Sequence, residues 1–282
     1  MLNQLTTSFI ARLRAQDQGA WFELWETFGP VLRAQLTKWG AGRIGAETVR
    51  DLSQETMAAL SDSIERYDPG KGARFSTWLL AIAKHVLGDE IDRRSAQKRG
   101  GAGAGRGMNN GAGGKGKAKN ASFDEAWMTD GGSGGGGKSD WGVTPDASYE
   151  AAMFRAKVEA ALRLTEKAAP FEDFEIFRMR VLEGKSGKDV AEAVGTSEPT
   201  ISRRLAKVRD LLRIRLREVM VIYSFTDEEM AEAGRNGLEL SPNKRGVKPG
   251  AGGDGAPAGA GSAAEDAAFD DAVGEIYRRG KE

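Results

Sequence analysis

The most chemically distinctive part of the sequence is a short basic stretch, residues 201–217. It carries seven cationic side chains against the single acid Asp210: Arg203, Arg204, Lys207, Arg209, Arg213, Arg215 and Arg217. Guanidinium groups pair with guanine edges and with phosphates, so a helix that displays several of them is suited to nucleic acid. A solvated charged surface is the other interpretation of the same pattern.

Composition excludes several other chemistries. The 282 residues contain no cysteine, which excludes disulfides, a thiol nucleophile and a cysteine zinc cluster. His85 is the only histidine, so a metal site built on several histidines is excluded as well. The sequence shows no secretory signal and no apolar run of about 18 residues. These absences predict a soluble, cytoplasmic protein that contacts no membrane and holds no metal or cofactor.

The charge balance hides a segregation along the chain. Lys and Arg number 41, and Asp and Glu also number 41, so the formal net charge is zero. The basic stretch and an acidic tail after Thr226 nevertheless separate the two signs. Because counterion release scales with the number of cationic contacts, we expect the free protein to bind DNA weakly.

Apolar residues at helical spacing organise residues 5–95 into a first domain, and no segment alternates like a strand. Three stripes are predicted to be buried: Trp21, Trp25, Phe28, Leu32, Leu36 and Trp39; Leu52, Thr56, Leu60 and Ile64; Phe75, Trp78, Leu79, Ile82, Val86 and Ile91. A second helical domain is predicted over residues 145–222. The fold class is therefore all-α, with two small helical domains.

A glycine-rich segment, residues 96–144, separates the two domains and is predicted to be a flexible linker. Within it, Gly132 to Ser139 matches the phosphate-binding pattern G-x-x-x-x-G-K-[ST]. That motif requires a preceding buried strand and a following helix, and the flanking residues predict neither. Nucleotide hydrolysis therefore rests on this match alone, and we expect no enzymatic activity.

The extension, residues 223–282, is predicted to be largely disordered. One exception is the capping box that Ser262 forms with Glu265, which predicts a terminal helix with Phe269, Val273 and Ile276 on one face. This acidic helix could cover the basic stretch or bind a regulator. A disordered tail with residual helicity is the alternative.

Residues 186–209 have the pattern of a helix–turn–helix, SGKDVAEAVGTSEPTISRRLAKVR. Ser186 and Ser197 are predicted to cap the two helices, and Gly195 supplies the turn because glycine adopts positive φ without strain. Pro199 suits the first turn of the second helix. The outer face is predicted to read DNA in the major groove through six residues: Thr200, Ser202, Arg203, Arg204, Ala206 and Lys207.

The segment DVAEAVGTSEPTISRRLAKVRDLL resembles sigma region 4, and DLSQETMAALSDSIERYDPGKGARFSTWLLAIAKHVLGDEIDRR is similar to sigma region 2. Both occur in the right order, with a linker between them. This layout resembles that of the extracytoplasmic-function (ECF) sigma factors of the sigma-70 family. The resemblance implies that the protein directs transcription initiation, with core RNA polymerase (its β′ and β subunits) and promoter DNA as partners. An anti-sigma factor is a further candidate partner.

The resemblance also implies sites in both domains. Asp51, Gln54 and Glu55 would bind the polymerase β′ subunit, and the helix–turn–helix would read the −35 element. The −10 element would be bound by a further set: Lys71, Arg74, Lys84, His85, Arg93 and Arg94. Alternatively, the loop that holds Lys71 is a plain turn, and the polar face of the Asp51 helix is merely solvated.

The sequence departs from the family pattern at two positions. His85 stands where the family usually has asparagine, which predicts a different −10 preference or a surface residue without a role. Gly187 replaces a bulkier residue in the first helix of the helix–turn–helix. A stand-alone helix–turn–helix regulator is the alternative function, but it leaves the region 2-like segments unexplained.

Overall fold

The structure is a computed structural model that describes residues 4–67, 74–100, 145–224, 227–238, 240 and 260–280. Within these ranges the chain is helical and contains no β-strand, which confirms the all-α prediction. It divides into two compact units, Leu13–Tyr149 and Met1–Arg12 with Glu150–Glu282. None of the described helices has the length and apolar character needed to cross a membrane. The phosphate-motif match and most of the predicted linker lie outside the described residues.

Of the first four helices, the second, third and fourth form most of the unit Leu13–Tyr149, whereas the first lies almost entirely in the other unit. Their bounds are α1 Gln4–Arg14, α2 Gln18–Gly40, α3 Ala46–Ser63 and α4 Phe75–Gly100, with a 3₁₀ turn at Ile64–Arg66 after α3. Asp17 starts α2 by accepting a hydrogen bond from the Ala20 amide at 3.1 Å. Helix α4 continues to Gly100, past the predicted boundary of the first domain at residue 95.

The core of this unit confirms two of the three predicted stripes. Leu52, Thr56, Leu60 and Ile64 are all buried, and so are the residues of the third stripe except the half-buried Ile91. Tyr67 stacks on Trp78 with ring centroids 4.5 Å apart, and Phe75 packs edge-on against both rings. Trp78 and Phe75 are therefore core residues.

The prediction for α2 is wrong for its three tryptophans. Trp21, Trp25 and Trp39 are only half-buried. The buried stripe of α2 is turned relative to the predicted one, and it runs through Ala20, Leu24, Phe28, Val31, Leu32 and Leu36. Because each residue advances a helix by about 100°, the tryptophans next to this stripe lie at its edge.

The second unit contains most of α1 and the helices of the chain after residue 146. Their bounds are α5 Ala147–Ala168, α6 Phe171–Phe177 continued by a π-helical turn at Arg178–Leu182, α7 Gly187–Val194, α8 Glu198–Tyr223, α9 Asp227–Met230, α10 Glu232–Arg235 and α11 Ala260–Arg278. Phe9 of α1 packs edge-on against Tyr223 of α8, with ring centroids 5.3 Å apart.

The terminal helix predicted from the capping box is present as α11, which begins two residues before Ser262. It packs against the π-helical turn Arg178–Leu182. Phe269 and Val273 are fully buried, and a Cβ atom built on Gly274 would lie 2.6 Å from the Val181 carbonyl oxygen. Only glycine permits this close approach.

Candidate nucleic-acid interface

The helix–turn–helix of α7 and α8 is held by local hydrogen bonds. The Ser186 hydroxyl accepts a bond from the Asp189 amide at 3.1 Å and so caps α7. Gly195 ends α7 with φ of 69°, and the next amide, Thr196, bonds to the Ala191 carbonyl at 2.9 Å. The cap at Ser186 and the glycine turn are thus confirmed.

The predicted cap at Ser197 is wrong in its chemistry, although Ser197 does occupy the position before α8. Its hydroxyl makes no bond to a backbone amide and lies 3.0 Å from the Thr200 hydroxyl. Proline follows in the first turn, as predicted. The start of α8 therefore depends on proline geometry rather than on a side-chain cap.

The six predicted DNA-reading residues lie on one side of α8, away from its buried stripe of Ile201, Leu205, Val208 and Leu212. Ser202, Arg203 and Lys207 are exposed, and Thr200, Arg204 and Ala206 are half-buried. Arg203 and Lys207 are one helical turn apart, so their charges neighbour each other. Within the described ranges neither of these two side chains has an ion-pair partner.

Acidic residues neutralise much of the remaining basic stretch. Arg204 donates to Glu172 at 2.8 Å, and this hydrogen bond raises the pKa of Arg204. Arg209 and Arg213 are buried and pair with acids of α11. The sequence alone does not reveal these partners because they lie far away along the chain.

The predicted −10 residues do not form one surface on α4. Lys71 lies outside the described residues, Arg74 precedes α4, and Lys84 is exposed in its middle. Arg93 follows Lys84 by nine residues, about two and a half helical turns, which places the two on opposite sides of the helix. The imidazole Nε2 of His85 lies 3.5 Å from the Asp89 carboxylate.

Arg93 and Arg94 lie together around a buried acid, Glu90. The Glu90 carboxylate accepts bonds from Arg93 Nε at 2.7 Å and from Arg94 Nε at 2.5 Å. Arg94 also donates to the Thr48 hydroxyl at 2.7 Å. Burial alone would raise the pKa of Glu90, but the hydrogen bonds from both arginines outweigh it and hold the pKa below the ordinary value.

A cleft of about 570 Å³ is lined by Glu90, Arg93 and Arg94 together with Arg43 and Gln97. Three guanidinium groups against one carboxylate leave the cleft net positive, which suits a phosphate. Sequence reasoning missed Arg43 because it lies in the turn after α2, outside any periodic pattern. It also missed Glu90, whose spacing of three and four residues to the two arginines was the available signal.

The three predicted polymerase-binding residues share an exposed face of α3. Asp51, Gln54 and Glu55 are exposed, and in the described part of the chain none of them has a hydrogen-bond or ion-pair partner. Beside them lies a groove of about 370 Å³ lined by Trp21, Trp25, Gln54, Met57, Ala58 and Ser61. Phe22, on the same helix as the tryptophans, is 63% exposed. Exposed aromatic side chains of this kind are enriched at protein–protein interfaces.

Two family models match the chain. Sigma-70 region 2 matches residues 24–97, and Sigma-70, region 4 matches residues 170–212. No curated protein and no solved structure matches the chain. The two matched regions correspond to the α2–α4 unit and to the helix–turn–helix with its preceding helix. A role in promoter recognition as a non-enzymatic transcription initiation factor follows from this pair, with core RNA polymerase and promoter DNA as its implied partners. The chain thus carries the domain pair typical of the extracytoplasmic-function sigma factors of the sigma-70 family.

Proposed function

We propose that this protein binds core RNA polymerase through α3 and reads both promoter elements, the −35 element through α8 and the −10 element through α4. The observation that carries the proposal is the helix–turn–helix whose outer face presents Arg203 and Lys207, which have no ion-pair partner among the described residues. A fixed recognition helix with exposed cations at its N-terminal half is the geometry that enters a major groove.

The proposed −10 contacts are the net-positive cleft at the end of α4 and the cations nearer its start. Because Lys84 and Arg93 are on opposite sides of α4, one straight DNA strand does not contact both. We assign Arg43, Arg93 and Arg94 to phosphate contacts, and Arg74, Lys84 and His85 to the neighbourhood of the captured base.

The proposed polymerase site combines the polar face of Asp51, Gln54 and Glu55 with the aromatic groove beside it. Its acids suit basic groups on the β′ subunit, and Trp21 and Trp25 offer the large apolar contacts that carry most binding energy at interfaces. Residues of the second unit would contact the β subunit. An anti-sigma factor, if one exists, would compete for these surfaces.

Run-off transcription with core polymerase from the source organism tests the function directly. Fragmented genomic DNA serves as template, and the 5′ ends of the transcripts are sequenced. We expect starts that depend on this protein and share two upstream motifs about two helical turns apart. Operator binding without polymerase, and no specific starts, would instead establish the stand-alone regulator.

Paired variants then test the two surfaces. Arg203→Ala with Lys207→Ala should weaken holoenzyme binding to the −35 motif about 10- to 100-fold, because a base contact contributes about 1–3 kcal/mol. Lys167→Ala, an exposed lysine on α5, is the control. Unchanged affinity of the double variant would refute the assignment of α8.

For the polymerase surface, Gln54→Ala and Trp25→Ala should each weaken the binding of core enzyme without unfolding the chain. The control is Thr37→Ala, an exposed polar position about three turns further along α2. Retention of the core enzyme at wild-type affinity by both variants would refute this surface.

A further inference from the structure

Helix α11 lies against α8 through a cluster of charge pairs. Arg209 Nε donates to Asp270 at 2.8 Å, and its Nη2 donates to the same carboxylate at 2.6 Å. Arg209 Nη1 reaches Asp266 at 2.9 Å, and Arg213 Nη2 reaches Asp266 at 2.8 Å. Four hydrogen bonds thus join two arginines of the recognition helix to two carboxylates of α11.

Apolar contacts fix the register of this pairing. The ring of Phe269 lies 4.5 Å from the Arg213 guanidinium carbon, and Phe269 is buried together with Val273. The α11 helix also meets the π-helical turn, where Arg278 donates to the Val181 carbonyl. These contacts therefore fix the position of the α11 acids beside α8.

Two of the predicted DNA-reading residues lie beside the acids of α11. Ser202 and Ala206 line a cleft of about 500 Å³ whose opposite wall carries Asp266, Asp270 and Asp271. Ser202 is exposed, but the α11 carboxylates beside it repel the phosphates of a DNA duplex that approaches this side of α8.

The chemistry of the contact resembles that of a DNA backbone. Paired bonds from guanidinium to carboxylate have the same geometry as those from guanidinium to phosphate. Asp266 and Asp270 are one helical turn apart on α11 and present two anionic groups to neighbouring arginines of α8. The acidic helix therefore occupies the cations that a phosphate backbone would need.

We propose that α11 is an intramolecular competitor of promoter DNA, which occludes one side of the recognition helix and must leave before the −35 element is fully engaged. This inference rests on the proposed function of α8. The side with Arg203 and Lys207 stays open, so an encounter with DNA begins there and displaces α11. While α11 is docked on α8, the protein is not competent for full binding, so its apparent affinity for DNA is lower than that of the undocked form.

The test compares holoenzymes made with the full-length wild-type chain and with Asp266→Asn/Asp270→Asn. This double variant removes the charges but keeps Phe269 and Val273 in the core. We expect it to bind a fragment with the −35 motif about 10- to 100-fold more tightly, and to give correspondingly more transcript. The control is Glu265→Gln, which removes one charge from an exposed position of the same helix and should leave both values unchanged.

A disulfide lock tests the same idea in the opposite direction. The chain has no native cysteine, and a Cβ atom on Gly237 would lie 3.5 Å from Ala272 Cβ, within the range of a disulfide. Oxidised Gly237→Cys/Ala272→Cys should bind the −35 fragment at least tenfold more weakly than its reduced form. Gly237→Cys alone reports any effect of the left-handed φ of 74° at that position.

The outcomes separate this inference from the proposed function. Specific transcription starts with wild-type holoenzyme, no tighter binding by Asp266→Asn/Asp270→Asn, and no effect of the lock would overturn the competitor role and leave the promoter function standing. Absence of specific starts with both wild-type and double-variant holoenzymes would overturn the proposed function itself. If the double variant does not fold, the lock alone decides.

Discussion

Replacing Glu90 with glutamine should destabilise the unit Leu13–Tyr149, because the buried Glu90 carboxylate accepts hydrogen bonds from Arg93 and Arg94. Its side chain is 5% exposed, whereas those of Arg93 and Arg94 are 69% and 38% exposed. Hydrogen bonds to charged groups contribute about 1.5–3 kcal/mol, and solvent screening at the arginines reduces this value. We expect Glu90→Gln to lower the free energy of unfolding by about 1–2 kcal/mol at pH 7.

The pH dependence of this loss follows from the direction of the pKa shift. The pKa of Glu90 is lower in the folded state than in the unfolded chain. Its contribution is therefore fully present above the unfolded value of about 4.3, and is lost as the pH falls through the folded value. The stability difference between wild type and Glu90→Gln should be constant from pH 7 to about pH 5 and should shrink below that.

Tryptophan fluorescence during urea unfolding provides a selective assay. All six tryptophans lie before residue 150, so the signal reports the unit Leu13–Tyr149 and not the helix–turn–helix. Asp92→Asn is the matched control because Asp92 is exposed on the same helix, and its effect should stay within about 0.5 kcal/mol. If Glu90→Gln behaves like this control at pH 7, or if its loss does not shrink at acid pH, the reasoning about the buried pair is refuted.

Two further predictions concern glycines of the helix–turn–helix and one concerns a helix cap. Gly195→Ala should lower the stability of the second unit by about 1–2 kcal/mol because φ is positive there; an unchanged thermal midpoint by circular dichroism would contradict this. Gly187→Ala should raise it by about 0.4–1 kcal/mol, since a Cβ atom there meets nothing closer than 3.9 Å; a loss on the same measurement would show hidden strain. The Asp146 carboxylate accepts bonds from the Lys38 ammonium and the Tyr149 amide, which hold its pKa well below the ordinary range. Its contribution should therefore persist to lower pH than that of an ordinary aspartate, and Asp146→Asn should lower the fluorescence-detected stability near neutral pH; equal stability of the two proteins at pH 7 would contradict this.

Local patterns in the sequence were sufficient to predict the helices and the turn between α7 and α8. The stripe of Leu52, Thr56, Leu60 and Ile64 has a clear helical period, and a positive φ at Gly195 follows from its place in the short turn between α7 and α8. Both features depend on residues close together in the chain, where periodicity and turn chemistry are informative.

The tryptophans of α2 show where such patterns fail. Trp21 and Trp25 fit a helical period almost as well as the true stripe does, and large apolar residues are normally assigned to the core. Only the packing of α2 against α3 and α4 decides which face turns inward. Trp21 and Trp25 lie at the edge of the core and line the groove beside Gln54. Because the sequence pattern assigned them to the core, it did not predict this part of the candidate interface.

The partners of the basic helix could not be predicted either, because they are distant in sequence. Asp266 and Asp270 follow Arg209 by more than fifty residues, and Glu172 precedes Arg204 by about thirty. A capping box predicts that an acidic helix forms but not where it docks. Docking is determined by the burial of Phe269 and Val273 and by the close approach at Gly274.

These pairings change what the charge of the basic stretch means for function. Of its seven cations, Arg204, Arg209, Arg213 and Arg215 have carboxylate partners, and Arg217 donates to a backbone carbonyl. In the described part of the chain, Arg203 and Lys207 are the cations of the stretch that remain available to DNA. Even with both side chains on phosphates, the salt slope would be only about −2 in log K against log salt concentration. A recognition helix with so few available cations needs a second anchor, and core polymerase bound to the unit Leu13–Tyr149 would provide it.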